Sequence, residues 1–462
     1  MAVRVTIDII SCQCYSCIMT NGDPLYRRIE ASIVRRIESG ELAPGERLPT
    51  QRELAERLDV ALGTVTRAYR ELEAKGWVSG EVGRGTYVRG GLREYAPFAI
   101  RPERDEEINL GPSLPPPLPE IAGVPAALEG IAADPAAARL FEAAPHAGAA
   151  RHREGGAAWL ARCGLPAEPD RVIVCAGAQH AVLVALSVLA RPGDAVAAES
   201  LTFPGFRPVA GTLGLRLVPV ETDDAGIVPA SLHRVFHEAK PKALYVAAPT
   251  CHNPTTVVTS ESRRREIAEL LERHDVVLVE DDPYRRYADD PPAPIAWHAP
   301  ERSAFVATWT KAVSAGMRIA WLHAPAGWIE RLSNAVRSTV YHVPPLMAEL
   351  ATRWIGDGTA ERIVESRRAE MAVRRAIAEK RLGRWLAPDA GRGLHAWIRM
   401  PEGRSAREVV DAARREGVAV LPAELFAVDG PGVDAVRVAL GSAPSLEALE
   451  RGCEALEGIL TG

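Results

Sequence analysis

A single lysine, Lys311, lies in the stretch TWTKAVSAGMRIAW, residues 308–321. Two threonines precede it, Thr308 and Thr310, and Arg318 follows seven residues later. A lysine amine can attack a carbonyl group and form a Schiff base when its environment suppresses its charge. Most lysines are only solvated surface charges, so the elements around this lysine must decide whether it has a chemical role.

The elements that surround Lys311 alternate between short apolar runs and helical patterns from about residue 170 onward. RVIVCAG, DAVAAES, KALYVAAP, DVVLVED and SAFVATW are typical of buried strands, while QHAVLVALSVLARPG and SESRRREIAELLERH are typical of helices. This alternation predicts an α/β domain with a mostly parallel sheet. Ligands of such sheets bind at the loops that follow the strand ends. The candidate residues should therefore come from those loops.

The first three loops offer a phosphate site, an aromatic ring and an amide. A helix opens near Ala178 and Gln179, whose free backbone amides could bind a phosphate, although small residues at such a position often only permit close packing. Phe203 precedes a Pro-Gly pair and could stack on a flat ring, although such a residue is more often part of a core. Asn253 is held extended by the proline that follows it, which gives its amide a definite direction.

The next loops add an acid, a phenol and the lysine. Asp281 and Asp282 end a strand, and Tyr284 follows them. Neighbours on an extended strand point to opposite sides, so one carboxylate should face the ligand, and we assign no metal ligands. Together with Lys311, the loops fit pyridoxal 5'-phosphate, which has a phosphate, a flat ring, a ring nitrogen, a phenolic oxygen and an aldehyde.

These motifs, in this order, resemble the type I aminotransferase superfamily over about residues 108–462. The resemblance implies that Lys311 forms the Schiff base, that Asp281 holds the ring nitrogen protonated and that Phe203 stacks on the ring. Tyr284 and Asn253 would bind the ring oxygen. The phosphate would be held by a set of backbone and side-chain donors: Ala178, Gln179, Thr308, Thr310 and Arg318.

Two further features follow from the same resemblance. Arg437, in AVRVALGSAP, would bind the carboxylate of an amino acid, and GLHAWIRMP and GVAVLPAELF match a smaller C-terminal α/β domain. A tyrosine that reaches the phosphate of the neighbouring subunit is usual about five residues before Gly148. Ala143 occupies that place here, so the cofactor is expected to be held less tightly or His146 to substitute.

The N-terminal part has a different pattern. Leu25, Ile29, Ile33 and Ile37 recur every four residues, which predicts a helix over about 24–39. A second helix begins after Thr50, which forms a capping box with a glutamate three residues later. A third helix over about 63–75 and the hairpin-like WVSGEVGRGTYV follow. Three helices and a hairpin predict a winged helix-turn-helix, in which the third helix enters a DNA groove.

The phrases PLYRRI, GELAPGERLPTQRELAERLDV, TVTRAYRELEAKGWV and GRGTYV resemble the GntR family of bacterial regulators. Six residues are the candidates for DNA contact: Arg52, Thr64, Thr66, Arg67, Arg84 and Gly85. Leu62 stands where that family usually has an arginine, which predicts an altered affinity or site preference. Use of the winged helix only for protein contacts is the alternative.

Composition sets the limits of these interpretations. The chain has 462 residues, a net charge of −5 and 47% apolar residues, which indicates two or three globular domains and only local contact with nucleic acid. No apolar run is long enough to span a membrane, and we expect a cytoplasmic protein. Residues 1–20 form a predicted disordered leader, in which SCQCYSC (Cys12, Cys14 and Cys17) is either a set of reduced thiols or a metal or redox cluster.

The predicted domain order resembles the MocR type of transcriptional regulator. It consists of a GntR-like winged helix at 21–89, a linker at 90–107 and an aminotransferase-like domain at 108–462, with a small subdomain from about 335. The resemblance implies a head-to-tail homodimer that binds an operator in double-stranded DNA. An amino acid or amine effector would form an external aldimine at Lys311 and alter DNA binding, with residual transamination possible. The alternatives are an active aminotransferase with a regulatory DNA-binding domain, and a sensor of free pyridoxal phosphate.

Overall fold

The structure is a computed structural model, and it describes residues 24–38, 42, 47–74, 77–81, 85–88, 107–119, 123–387, 392–429 and 433–462. The chain forms two compact units, Met1–Ala99 and Ile100–Gly462. The predicted leader, its three cysteines, nearly all of the predicted linker and the candidate Arg84 lie outside the described residues.

The first unit contains three helices and a two-stranded antiparallel sheet. Its elements are α1 (Leu25–Glu38), α2 (Gln51–Leu58), α3 (Leu62–Ala74), β1 (Val78–Glu81) and β2 (Gly85–Val88). The predicted capping box starts α2, because the Thr50 hydroxyl accepts from the Glu53 amide and the Glu53 carboxylate accepts from the Thr50 amide. Apolar side chains of all three helices, including Ile29, Leu54 and Val65, are buried together in one core.

The second unit is organised around a seven-stranded sheet. Its strands are β4 (Val172–Cys175), β5 (Ala195–Glu199), β6 (Arg216–Val220), β9 (Ala243–Ala247), β10 (Val277–Asp281), β11 (Ser303–Thr308) and β12 (Ala320–His323). Their order is β4-β12-β11-β10-β9-β5-β6, and β12 alone runs antiparallel to its neighbours on both sides. Almost every strand residue is at least half-buried, as expected for a parallel sheet that is covered on both faces.

Seven short strands complete the strands of the described residues. A three-stranded antiparallel sheet contains β13 (Ala396–Arg399), β15 (Leu421–Pro422) and β16 (Ala435–Val438), in the order β13-β16-β15. In addition, β3 (Ile108–Asn109) pairs with β14 (Val418–Ala419), and β7 (Thr222–Asp223) pairs with β8 (Gly226–Ile227).

Helices cover both faces of the large sheet and build the rest of the unit. They are α4 (Val124–Ala132), α5 (Ala150–Arg162), α6 (Ala178–Leu189), α7 (Phe206–Thr212), α8 (Pro229–Ala239), α9 (Glu261–His274), α10 (Ile295–His298), α11 (Ile329–Thr339), α12 (Pro345–Gly356), α13 (Thr359–Leu382), α14 (Ala406–Arg415) and α15 (Leu446–Thr461). The long α13 leads into the three-stranded sheet, which packs with α14 and α15.

The predicted fold class is confirmed by this architecture. A winged helix region precedes a large mixed sheet and a smaller C-terminal α/β layer. Within the part of the chain that the structure describes, no helix has both the length and the apolar character that crossing a bilayer requires.

The sheet topology explains how distant parts of the sequence reach one site. The parallel strands β9, β10 and β11 end side by side, with Asp281 in register with Ala247 and Val306. Because β12 is antiparallel, its first residue pairs with Thr308 at the end of β11. The loop 309–319 therefore leaves and re-enters the sheet at one edge, which places Lys311 and Arg318 at the same end of the strands as Asp281.

Candidate functional site

Lys311 lies in the loop after β11, and its side chain is partly buried. The amine donates to the Ser113 carbonyl oxygen. Burial, and then the positive charge of Arg437, lower the pKa of Lys311 to about 8, while the nearby Asp281 carboxylate opposes this shift. A substantial fraction of this lysine is therefore uncharged near neutral pH, as a nucleophilic amine requires.

Asp281 ends β10 and faces the same space as Lys311. It is buried, and its Oδ1 atom has no hydrogen-bond partner among the described residues. Burial and the neighbouring Asp282 raise the pKa of Asp281 to about 7, against the effects of Lys311 and of a hydrogen bond from Tyr245. A buried carboxylate oxygen without a partner is unfavourable by itself, so this atom suits a cationic or N–H group of a ligand.

Asp282 points elsewhere, as the alternation of an extended strand requires. Its Oδ2 atom accepts from the Thr250 hydroxyl and lies 3.7 Å from an Nη atom of Arg285. The two adjacent carboxylates therefore have different surroundings, and Asp281 is the one that faces the lysine.

The phenol of Tyr284 lies 2.9 Å from the Ser113 hydroxyl, and burial raises the pKa of Tyr284 to about 12. The Asn253 side-chain oxygen accepts from Arg437 at 3.0 Å. The structure therefore brings these two candidates, Lys311, Asp281 and Arg437 into one cluster.

Arg437 lies on β16 and is buried. One of its Nη atoms donates to Asn253 and the other to the Gly111 carbonyl oxygen, while its Nε atom has no partner among the described residues. Burial lowers the pKa of Arg437 to about 10. The guanidinium presents two donors in a plane, which is the arrangement that binds a carboxylate in bidentate fashion.

A short segment, residues 111–113, supplies acceptors to this cluster, and we call it the strap. Its three successive carbonyl groups accept from Arg437, from the Ser442 hydroxyl and from Lys311. The strap is buried, and sequence reasoning does not reveal its contacts. Only its Gly-Pro-Ser composition indicates a turn at this point.

The phosphate-binding candidates lie where β4 meets α6. Gly177 has φ +86°, and a Cβ atom at this position would lie 2.6 Å from an Nη atom of Arg318. The guanidinium thus lies against the glycine that precedes Ala178 and Gln179, the first residues of α6. The first amides of a helix have no acceptor within the helix and favour anions.

Three further candidates, Phe203, Thr308 and Thr310, belong to the region around the start of α6. A Cβ atom at Gly205 would lie 2.4 Å from the Phe203 ring and 2.8 Å from the Gln179 amide nitrogen, so ring and amide meet at this glycine. Thr308 and Thr310 are buried, and the Thr310 hydroxyl has no partner among the described residues. The sheet register pairs Thr308 with Ala320 and Ala320 with Cys175, so the end of β11 lies near the residues that lead into α6.

The residues fit pyridoxal phosphate, by three observations on the protein itself. Among the described residues, the Asp281 Oδ1 atom and the Thr310 hydroxyl both lack a partner, and Gly177 leaves a space that a side chain would close against Arg318. An acid for the ring nitrogen, donors for a phosphate and a partly neutral lysine for the aldehyde are thus present in one unit.

Ala143 occupies the position where a tyrosine that reaches the neighbouring subunit is expected, and His146 is the candidate to substitute for it. Ala143 is exposed. The centre of the nearby His146 ring lies 4.9 Å from the centre of the Tyr341 ring in an edge-to-face arrangement, and the His146 Nδ1 atom lies 2.8 Å from the Tyr341 carbonyl oxygen. Tyr341 itself has φ +66° and is 54% exposed. His146 is therefore held by its own chain.

In the first unit, the candidate DNA-contacting residues divide into two groups. Arg52 and Gly85 line one groove together with Leu62. Arg67 lies 4.0 Å from the centre of the Tyr26 ring, a cation–π contact that ties α3 to α1. Thr66 donates to the Gln51 side-chain oxygen at 2.8 Å.

The candidate Thr64 is partly buried near the start of α3. Two other residues of this region, Arg47 and Gln51, could not be identified as candidates from the sequence. Arg47 lies across β2, since a Cβ atom at Gly85 would be 2.6 Å from its Nε atom, and Gln51 lines the groove beside Arg52. The position of Arg47 depends on its pairing with Tyr87 of the hairpin, which the local sequence does not reveal.

Comparison with known proteins agrees with both units. Residues 123–456 match the family described as aminotransferase class I and II, and residues 25–88 match the bacterial regulatory proteins of the gntR family. The chain is 28% identical over 441 residues to the uncharacterized HTH-type transcriptional regulator YdeF of Bacillus subtilis, covering 95% of this chain and 94% of YdeF.

A second relative is the HTH-type pyridoxine biosynthesis transcriptional regulator PdxR of Corynebacterium glutamicum, at 28% identity over 80% of this chain and 82% of PdxR. Among solved structures, the α-aminoadipate aminotransferase LysN of Thermus thermophilus, complexed with N-(5'-phosphopyridoxyl)-L-leucine, matches with a TM-score of 0.68. It is 22% identical and covers 80% of this chain and 97% of its own. At this identity the likeness shows the fold alone.

Proposed function

Since the chain belongs to the aminotransferase class I and II family and has a gntR-family domain in front of it, the MocR-type arrangement, we propose that it is a pyridoxal-phosphate-dependent, DNA-binding transcriptional regulator. An amino compound that binds at Lys311 alters the affinity of the protein for DNA. The observation that carries this proposal is a lysine with a pKa of about 8 beside a buried carboxylate oxygen that has no partner among the described residues, in the same chain as a winged helix.

Each candidate residue has a part in this proposal. Asp281 binds the ring nitrogen, Tyr284 and Asn253 bind the ring oxygen, and Phe203 covers the ring. The phosphate is bound by the donors around α6 and the loop 309–319: Ala178, Gln179, Thr308, Thr310 and Arg318. The cofactor supplies an aldehyde that exchanges one primary amine for another.

The protein's own groups direct that exchange. The low pKa of Lys311 keeps a substantial part of its amine neutral, so the lysine can both bind an aldehyde and be released from it. Arg437 binds the carboxylate of an amino acid with its two Nη donors. For the exchange to control transcription, the bound form must favour one conformation of the protein over another.

The domain limits and the assembly are part of the same proposal. The winged helix comprises residues 21–89, the linker 90–107 and the effector domain 108–462, with its small subdomain from about 335. In the first unit, Arg52, Thr64, Thr66, Arg67, Arg84 and Gly85 contact an operator in double-stranded DNA. The protein acts as a head-to-tail homodimer in the cytoplasm, and light scattering of the purified protein measures its mass.

The test is an absorbance titration of the full-length protein with pyridoxal phosphate, followed by a panel of amino acids and simple amines. We expect a visible band that Lys311→Ala abolishes, and a change in this band with at least one amino compound. Anisotropy of a labelled duplex, measured with and without that compound, reports DNA binding. The proposal fails if no band forms, or if the compound changes the band without changing the anisotropy.

The same samples separate the two alternative functions. Repeated conversion of an amino acid with a keto-acid acceptor would indicate an active aminotransferase, for which the chain has all the residue types. A full anisotropy response to pyridoxal phosphate alone would indicate a sensor of the free cofactor.

A further inference from the structure

Leu62, the first residue of α3, is a large apolar side chain in contact with solvent. It is 43% exposed, and its neighbours Ala61 and Gly63 are exposed as well. The apolar face of the same helix, which includes Val65 and Tyr69, is fully packed into the core. Leu62 is therefore not one of the residues packed into that core, and its side chain is accessible to a partner.

Leu62 lines a groove of about 450 Å³ between the helix starts and the hairpin. The other lining residues come from the segment leading into α2, from α2 and from β2: Leu48, Thr50, Gln51, Arg52, Gly85 and Thr86. Leu48 is buried, so the exposed side chains of the lining are polar or cationic except at Leu62, and the Arg47 guanidinium lies against Gly85 beside it. An apolar side chain in a cationic surround suits a partner that is anionic and has an apolar point, and the edge of a DNA duplex is such a partner.

The chemistry of base edges identifies the point of contact. A leucine side chain neither donates nor accepts a hydrogen bond, so it cannot read the donors and acceptors of the major groove. Thymine alone presents a methyl group there. Any other base edge would lose hydrogen bonds to water against leucine, which disfavours it.

We propose that Leu62 determines sequence specificity by contacting the methyl group of a thymine in the operator. This inference rests on the proposed DNA binding and adds the base that α3 selects at its first residue. The backbone around Leu62 permits the approach, because a Cβ atom at Gly63 would meet nothing within 4 Å. The expected preference for the methylated base is about fourfold, the factor that one buried methyl group is worth.

The experiment begins with the full-length protein and a library of random duplexes, from which the preferred sequence is selected. Each thymine of that sequence is then replaced by deoxyuridine, which removes the methyl group and no hydrogen-bonding group. We expect about a fourfold loss of affinity at one position of each half-site, and no loss at that position for Leu62→Ala. Leu128→Ala is the matched control, because Leu128 is 44% exposed in the second unit.

The outcomes separate this inference from the proposed function. If the protein selects a sequence but tolerates deoxyuridine at every position, the inference is wrong and DNA binding stands. The same conclusion follows if Leu62→Ala keeps the full sensitivity of the unmodified protein. If no sequence is selected and no duplex binds, the proposed function itself fails, and the inference with it.

Discussion

The reactivity of Lys311 should follow pH in a way that the structure specifies. Burial and Arg437 lower the pKa of this lysine to about 8, whereas an ordinary lysine has a pKa of about 10.4. At about pH 7.5 the buried amine is then about one-quarter neutral, and the ordinary amine about 0.1% neutral, a ratio of about two hundred. Only the neutral amine attacks an aldehyde.

The perturbation is a pair of substitutions with opposite electrostatic effects. Arg437→Gln removes a positive charge that lowers the pKa of Lys311, so the midpoint should move to higher pH. Asp281→Asn removes a negative charge that raises this pKa, so the midpoint should move to lower pH. Burial, the largest cause, is unchanged in both variants.

The assay mixes cofactor-free protein with pyridoxal phosphate between about pH 6 and 9.5 and follows the visible absorbance in time. The capture rate of the unmodified protein should rise about tenfold per pH unit and level off above about pH 8, because the neutral fraction does so. N-acetyl-lysine under the same conditions is the control that removes the titrations of the cofactor itself. The reasoning is refuted if the rate keeps rising past about pH 9, or if both variants shift the midpoint in the same direction.

Three further predictions concern the cofactor, stability and DNA. Gly177→Ala should weaken pyridoxal phosphate binding far more than Gly193→Ala in a fluorescence titration. Both glycines have positive φ, but an added Cβ atom would meet the Arg318 guanidinium at Gly177 and nothing within 4 Å at Gly193. Burial raises the pKa of Glu199 from 4.5 to about 8, so the folded state keeps a proton that the unfolded state loses. The free energy of unfolding should therefore fall as pH rises between those values, by up to about 1.4 kcal/mol per pH unit. Urea unfolding of Glu199→Gln at about pH 5 and 8 should lack this fall, and a fall equal to that of the unmodified protein would contradict the assignment. Arg52→Ala and Arg67→Ala should weaken duplex binding and reduce its slope against log salt by about 0.9 for each DNA phosphate that the variant no longer neutralises. An unchanged slope for both variants would count against the winged helix as a DNA-binding domain.

The fold was predictable because its signals are local. Alternating apolar strands and helices, the capping box at Thr50 and the four-residue spacing in α1 each depend on short stretches of the chain. The placement of Lys311 and Asp281 at one sheet edge follows from the rule that ligand-binding loops come after the ends of parallel strands. The comparisons confirm the predicted arrangement of a gntR-type domain followed by an aminotransferase-type domain.

The partners of the site residues were not predictable in the same way. Arg437 meets the Gly111 carbonyl across 326 residues, and Tyr284 meets Ser113 across 171. Arg67 is a candidate for DNA contact by sequence, and the structure places it over the ring of Tyr26. Such choices depend on the three-dimensional packing of segments that no local pattern connects, and a side chain with several possible acceptors can be assigned only from that packing.

The strap has a consequence for the concentration at which this protein would respond. Under the proposed function, a ligand carboxylate would compete with the Gly111 carbonyl for an Nη donor of Arg437. The apparent dissociation constant would then exceed the intrinsic one by the reciprocal of the fraction of molecules in which that donor is free. Ser442, which holds the next carbonyl of the strap, helps to fix that fraction from outside the groups that bind cofactor and ligand. In the proposed function the strap would therefore act as a set-point: substitutions along it would change the ligand concentration at which the protein responds while leaving those groups as they are.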